Sequence, residues 1–88
     1  MYHYLKCDGS YYDAIQDGRK NFEVRLNDRG FQAGDIITLT RTGEPSTADR
    51  APFLSREITY VFQGGQFGLE PQYCVLGLAA VASRGDKP

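Results

Sequence analysis

The chain has 88 residues, 41% of them hydrophobic and 12% aromatic, which suits one small hydrophobic core and excludes two domains. Ten Lys plus Arg against 11 Asp plus Glu give a formal net charge of -1, so the average composition argues against a polybasic nucleic-acid binder. The mean hydropathy of -0.45, with no run approaching ~20 apolar residues, predicts a soluble protein without a spanning helix.

The N-terminal residues show no basic region followed by an apolar stretch, so no signal peptide is expected and the predicted location is cytoplasmic. Cys7 and Cys74 lie far apart, with one histidine and no CxxC in the chain. That spacing predicts reduced, buried thiols, with no disulfide framework and no metal site.

In chain order, Tyr2 to Cys7 reads as a first strand closed by the turn pair Asp8-Gly9. Ser10 and Asp13 resemble a capping box with Asp for Glu, and Tyr11, Ala14 and Ile15 sit at i, i+3 and i+4, predicting a short helix from Tyr11 to Asp17. From Asn21 to Asn27 the period becomes two. Phe22, Val24 and Leu26 are expected to face inward, with Glu23 and Arg25 on the opposite, solvated face.

Asn27-Asp28-Arg29-Gly30 and Ala33-Gly34-Asp35 are turn-rich, and Phe31 between them is the residue available to pin this loop to the core. A third strand follows at Ile36 to Arg41, then an aperiodic loop from Thr42 to Pro52. Arg56 to Gln63 alternates as a fourth strand, Gly64 to Gly68 is its hairpin connection, and Tyr73 to Ala82 is a largely apolar fifth. Five strands and one helix predict an α+β fold with a sheet partly closed into a small barrel, occupying residues 1–82. A polar tail at 83–88 is expected to fray; its Arg84-Gly85-Asp86 triplet is read as coincidence.

The charges are not evenly spread. Arg19, Lys20, Arg25 and Arg29 lie within twelve residues opposed only by Glu23 and Asp28, whereas Glu57 to Ser83 holds two acids and no base. A positive face around the second strand is therefore expected, with Lys6 and His3 adding to it. Ordinary cross-strand ion pairs on a solvated face, worth ~0.2–1 kcal/mol each, account for the same residues without any ligand.

The segment Gly18-Arg19-Lys20-Asn21-Phe22-Glu23-Val24-Arg25 resembles the GxKxxExR signature of ASCH domains, a branch of the PUA-like superfamily. The similarity continues through Asn27-Asp28-Arg29, Gly34-Asp35, Leu54-x-Arg56-Glu57-Ile58 and Tyr73-x-Val75-Leu76-Gly77. It resembles most a subgroup of small stand-alone ASCH-like proteins of bacteria and phages. Two positions depart from that pattern, Ser55 in place of a glycine and Thr40-Arg41 in place of an acidic residue.

The resemblance implies a PUA-like five-stranded pseudo-barrel with one flanking helix, and a cleft that binds single-stranded RNA or a modified nucleoside. In that cleft Lys20 and Arg25 would contact phosphate, and Glu23 would accept from a base edge or a ribose hydroxyl, or hold Arg25 in place. His3, Lys6, Tyr12 and Arg29 are further candidates, Tyr12 by stacking on a base, with Tyr11 assigned to the core. Arg56 is expected to complete the cleft.

Some ASCH relatives are amidohydrolases, and others have been proposed to cut RNA. The alternative is therefore a small metal-independent hydrolase with Lys20 and Glu23 as the working pair. Glu23 stands where the amidohydrolases carry a threonine, so that nucleophile is missing, and their distant glutamate would be Glu57 or Glu70. A further alternative is a protein-binding adaptor acting through the Thr42 to Pro52 loop or the aromatic surface. No cofactor, metal or membrane partner is expected, because no phosphate-cradling loop or metal-ligand spacing is present.

Overall fold

In a computed structural model, which describes residues 1–46 and 48–81, the elements are β1 (Tyr2–Asp8), α1 (Gly9–Gln16), β2 (Phe22–Leu26), β3 (Ile36–Thr42), β4 (Leu54–Gln63) and β5 (Tyr73–Ala80). The expected five strands and single helix are all present. β4 begins two residues before Arg56, because Leu54 pairs with Leu39 and is buried beside it. The tail expected at 83–88, with its Arg84-Gly85-Asp86 triplet, lies outside the described residues.

The strands form one mixed sheet in the order β1-β3-β4-β5-β2. β1 runs parallel to β3, and the other three pairings are antiparallel. Curled on itself, this sheet is a half-barrel whose end strands, β1 and β2, are paired on one side each. Its core is built from alternate positions: Leu5 and Cys7 of β1, Ile37 and Leu39 of β3, Ile58 of β4, and Cys74 and Leu76 of β5. Tyr12 and Ile15 of α1 close that core, and Phe31 pins the loop before β3 as expected.

β4 changes register between Ile58 and Tyr60. The extra residue, Thr59, leans onto β5, and a Cβ at Gly77 would lie 2.9 Å from its hydroxyl. This bulge lets one long strand bend around the barrel and explains a glycine inside an otherwise apolar strand.

The helix is capped two residues earlier than the sequence suggested. Asp8, rather than Ser10, is the N-cap, accepting from the backbone N–H of Ser10 at 3.2 Å and from its hydroxyl at 2.7 Å. Asp13 is thereby free to take a bidentate pair from Arg41, at 2.9 and 3.0 Å.

The loop after β3 is strapped to α1. Arg50 reaches Asp17 at 2.7 Å and Asp13 at 3.1 Å, Gln16 accepts from the N–H of Ala51, and the buried Tyr12 hydroxyl donates to the carbonyl of Ala51 at 2.6 Å. The guanidinium of Arg41 also bonds the carbonyl of Glu44. Among the described residues, no helix is long and apolar enough to cross a membrane.

β2 faces the opposite way from the expectation. Glu23 is 4% exposed and Arg25 half-buried, whereas Phe22, Val24 and Leu26 are 43%, 49% and 45% exposed. Strict alternation states that one set points in, without stating which. Here the inward carboxylate is paired with two cations, which offsets the usual penalty on a buried charge. The apolar trio instead joins an apolar strip on the outside of β5.

Candidate functional site

β2 pairs with β5 along one edge, and the register places its odd-numbered residues in hydrogen-bonded pairs. Asn21 accepts from the N–H of Leu78, and Asn27 donates to the carbonyl of Gln72, both at 2.9 Å. The backbone N–H and C=O groups of Phe22, Val24 and Leu26 therefore turn the other way, into the gap between β2 and β1. β1 mirrors this: the carbonyl of Met1 bonds β3, so that of Lys6 faces the gap.

Arg25 spans the gap, donating from Nη2 to the Lys6 carbonyl at 2.6 Å and from Nε to Glu23 at 3.0 Å. Lys20, in the turn between α1 and β2, donates to the other Glu23 oxygen at 2.7 Å. The buried carboxylate thus holds two cations side by side. Beneath them the Cys7 thiol lies 3.8 Å from Glu23. Burial, followed by the negative charge of Glu23, pushes that thiol up to about 11, which removes it as a thiolate nucleophile near neutrality.

Above this triad the gap opens into a cavity of about 560 Å³, lined by Lys6, Tyr11, Lys20, Phe22, Glu23 and Arg25 and continuing along β2 past Val24 and Leu26. Its volume lies within the ~300–1,000 Å³ of small-molecule sites. The Lys20 ammonium sits 4.8 Å from the Tyr11 ring centre and 4.9 Å from that of Phe22. Three cations, two aromatic faces and a free strand edge therefore meet in one open site. Cations bond phosphate oxygens, rings stack on bases, and backbone N–H and C=O groups match base edges.

The residues expected in the cleft divide into two groups. Lys6, Lys20, Glu23 and Arg25 converge on it. Tyr12 does not: it is fully buried, and the ring at the cavity is that of its neighbour Tyr11, because the helix turns that face toward Lys20. His3 is also in the core, donating to Asp35 at 2.9 Å with its ring edge-on to Phe31. Asp35 also accepts from the N-terminal ammonium and the N–H of Gln32. Burial pushes its carboxyl up, and these hydrogen bonds outweigh that and hold it below the usual range.

Arg29 lies in a separate shallow cleft beside Arg25, 3.8 Å from Asp28. Arg56 points away from the gap and donates to the carbonyls of Ser55 and Ile15. Neither Glu57 nor Glu70 lines the cavity. Asn27 acts as a turn former, accepting from the N–H of Phe31 at 3.1 Å. Tyr11 and the free edge of β2 were missed by reading the sequence, although Tyr11 precedes Lys20 by nine residues across a helix end, a geometry no local pattern encodes. Among the described residues, no group of three or more His, Cys, Asp or Glu side chains is placed to hold a metal.

No curated protein matches the sequence at a significant level. The family model described as "Domain of unknown function (DUF3850)" matches residues 2–78, a span that includes β1 to β4, most of β5 and the whole cavity wall. With that share of its length matched, the chain belongs to the DUF3850 family.

Proposed function

We propose that this chain is an ASCH-type, PUA-like cytoplasmic module that binds a short single-stranded RNA segment or a modified nucleoside in the gap between β1 and β2. One observation carries the reading: Lys6, Lys20 and Arg25 meet the rings of Tyr11 and Phe22 and the free edge of β2 on a single open cavity. The GxKxxExR pattern supports it further, since its three defining side chains form the charged floor of that cavity. In this reading Glu23 orients Lys20 and Arg25, and the cations and rings touch the ligand.

Fluorescence anisotropy with a labelled single-stranded RNA, alongside calorimetry with nucleosides, tests the proposal. Lys6→Ala and Lys20→Gln are expected to weaken RNA binding at least ~10-fold together, and each lost phosphate contact lowers the salt slope by about 0.7. Wild-type affinity in the double variant overturns the proposal, as does absence of binding to either ligand class. Turnover of RNA or of an acylated nucleoside in the same samples would move the site to the hydrolases.

A further inference from the structure

The outward face of the half-barrel carries an apolar strip that shares Phe22, Val24 and Leu26 with the wall of the binding cavity and continues across β5 and β4. Its rows follow the register. Phe22 of β2 lies beside Gly77 of β5 and then Tyr60 of β4, and the next row runs Val24, Val75 and Phe62. Leu26 and Tyr73 form a third row. Phe67, in the hairpin after β4, is 92% exposed and stacks on Phe62 with ring centres 6.1 Å apart. It is held at φ 51, a backbone region that a bulky residue seldom occupies.

These side chains expose on the order of 600–700 Å² together, given their fractional exposures and the ~150–250 Å² of each aromatic residue. The largest apolar patch of a typical monomer is about 300–600 Å². No row contains a charged residue; Glu57, opposite Ala79, lies beyond the end of the strip.

We infer that this strip is the contact surface of a homodimer, a second copy of the chain seating the same strip against it about a two-fold axis. Two strips removed from water amount to roughly 1,200–1,400 Å², the lower part of the standard range for stable protein interfaces. A two-fold contact sets each surface against itself, so a neutral strip meets no like charge, whereas the cationic gap beside β2 would repel its own copy. Among the described residues the strip itself holds no Lys or Arg, Lys20 meeting only its Phe22 edge, which disfavours RNA across β5 and β4, since phosphate neutralisation supplies most of that affinity.

Analytical ultracentrifugation of the full chain from about 1 µM to about 500 µM tests the inference by mass action. The expected result is a species of about 20 kDa, twice the 9.8 kDa chain, that persists at high salt because no charge pair holds it. Tyr60→Lys, at a 66% exposed position, is expected to raise the dissociation constant at least ~30-fold through like charges at the contact, with an unchanged circular dichroism spectrum. Tyr60→Ser, which adds no charge, is expected to weaken the dimer less. A wild-type monomer throughout overturns the inference, as does a dimer that both variants leave unaltered or that salt dissolves. A monomer whose RNA affinity falls in Tyr60→Ser assigns the strip to base stacking instead.

Discussion

Replacing Glu23 by glutamine separates the two roles open to this carboxylate. The residue is 4% exposed, and its side chain accepts from Lys20 at 2.7 Å and from Arg25 at 3.0 Å, with the Cys7 thiol below. Removing one partner of a buried ion pair costs about 3–5 kcal/mol. Glutamine keeps one acceptor oxygen and the shape, and both cations retain some contact with water, so the expected loss is about 1–3 kcal/mol. For a domain of this size, that lowers the melting temperature by roughly 5–20 °C. The cavity wall carries Lys6, Lys20 and Arg25 against Asp8 and Glu23, three positive charges less two negative, a net of +1 that becomes +2 in the variant. One added charge near a bound phosphate is worth about 1 kcal/mol in water, so RNA affinity is expected to rise about 5-fold. Thermal denaturation and RNA anisotropy on the same preparation read both effects. An unchanged melting temperature refutes the structural role. An affinity that falls while the melting temperature is unchanged makes Glu23 a reader of the ligand and not an orienter of the two cations.

Three further outcomes follow from the same contacts. Tyr12→Phe removes the 2.6 Å hydrogen bond to Ala51 and is expected to cost about 1 kcal/mol, seen as a melting temperature lower by about 4–8 °C, while leaving RNA affinity unaltered. In the native protein neither thiol is expected to react with a disulfide reagent at pH 8, because burial raises both and Glu23 raises Cys7 further; rapid reaction without denaturant would contradict their placement. Hydrogen bonds from Arg41 to Asp13 and from Arg50 to Asp17 hold those carboxyls below their ordinary range. Because the folded values lie below the unfolded ones of about 3.9, their stabilisation is complete above that pH and is lost as pH falls through the folded values. Limited proteolysis at the loop after β3 is therefore expected to accelerate below about pH 4, and Arg50→Ala is expected to show that acceleration already at neutral pH.

Much of the architecture follows from local chemistry. Turn pairs, glycines and alternating apolar residues delimit five strands and a helix within two or three residues of their observed bounds, because those signals act over short stretches of chain. The basic cluster was equally legible, and Lys20, Glu23 and Arg25 meet because they share one turn and one strand. Which face of β2 points inward was not legible. Period two leaves the two faces equivalent, and the choice fell to partners far along the chain: Cys7 below Glu23, the Lys6 carbonyl for Arg25, and the strip of Tyr73 and Val75 beside Phe22 to Leu26. For the same reason His3 and Tyr12 went to the core while Tyr11 came to the cavity. Sequence alone determined the elements and the charges they carry; the sheet order, by leaving β1 and β2 each with a free edge, decided where those charges gather, since only tertiary contacts can offset the burial of a carboxylate.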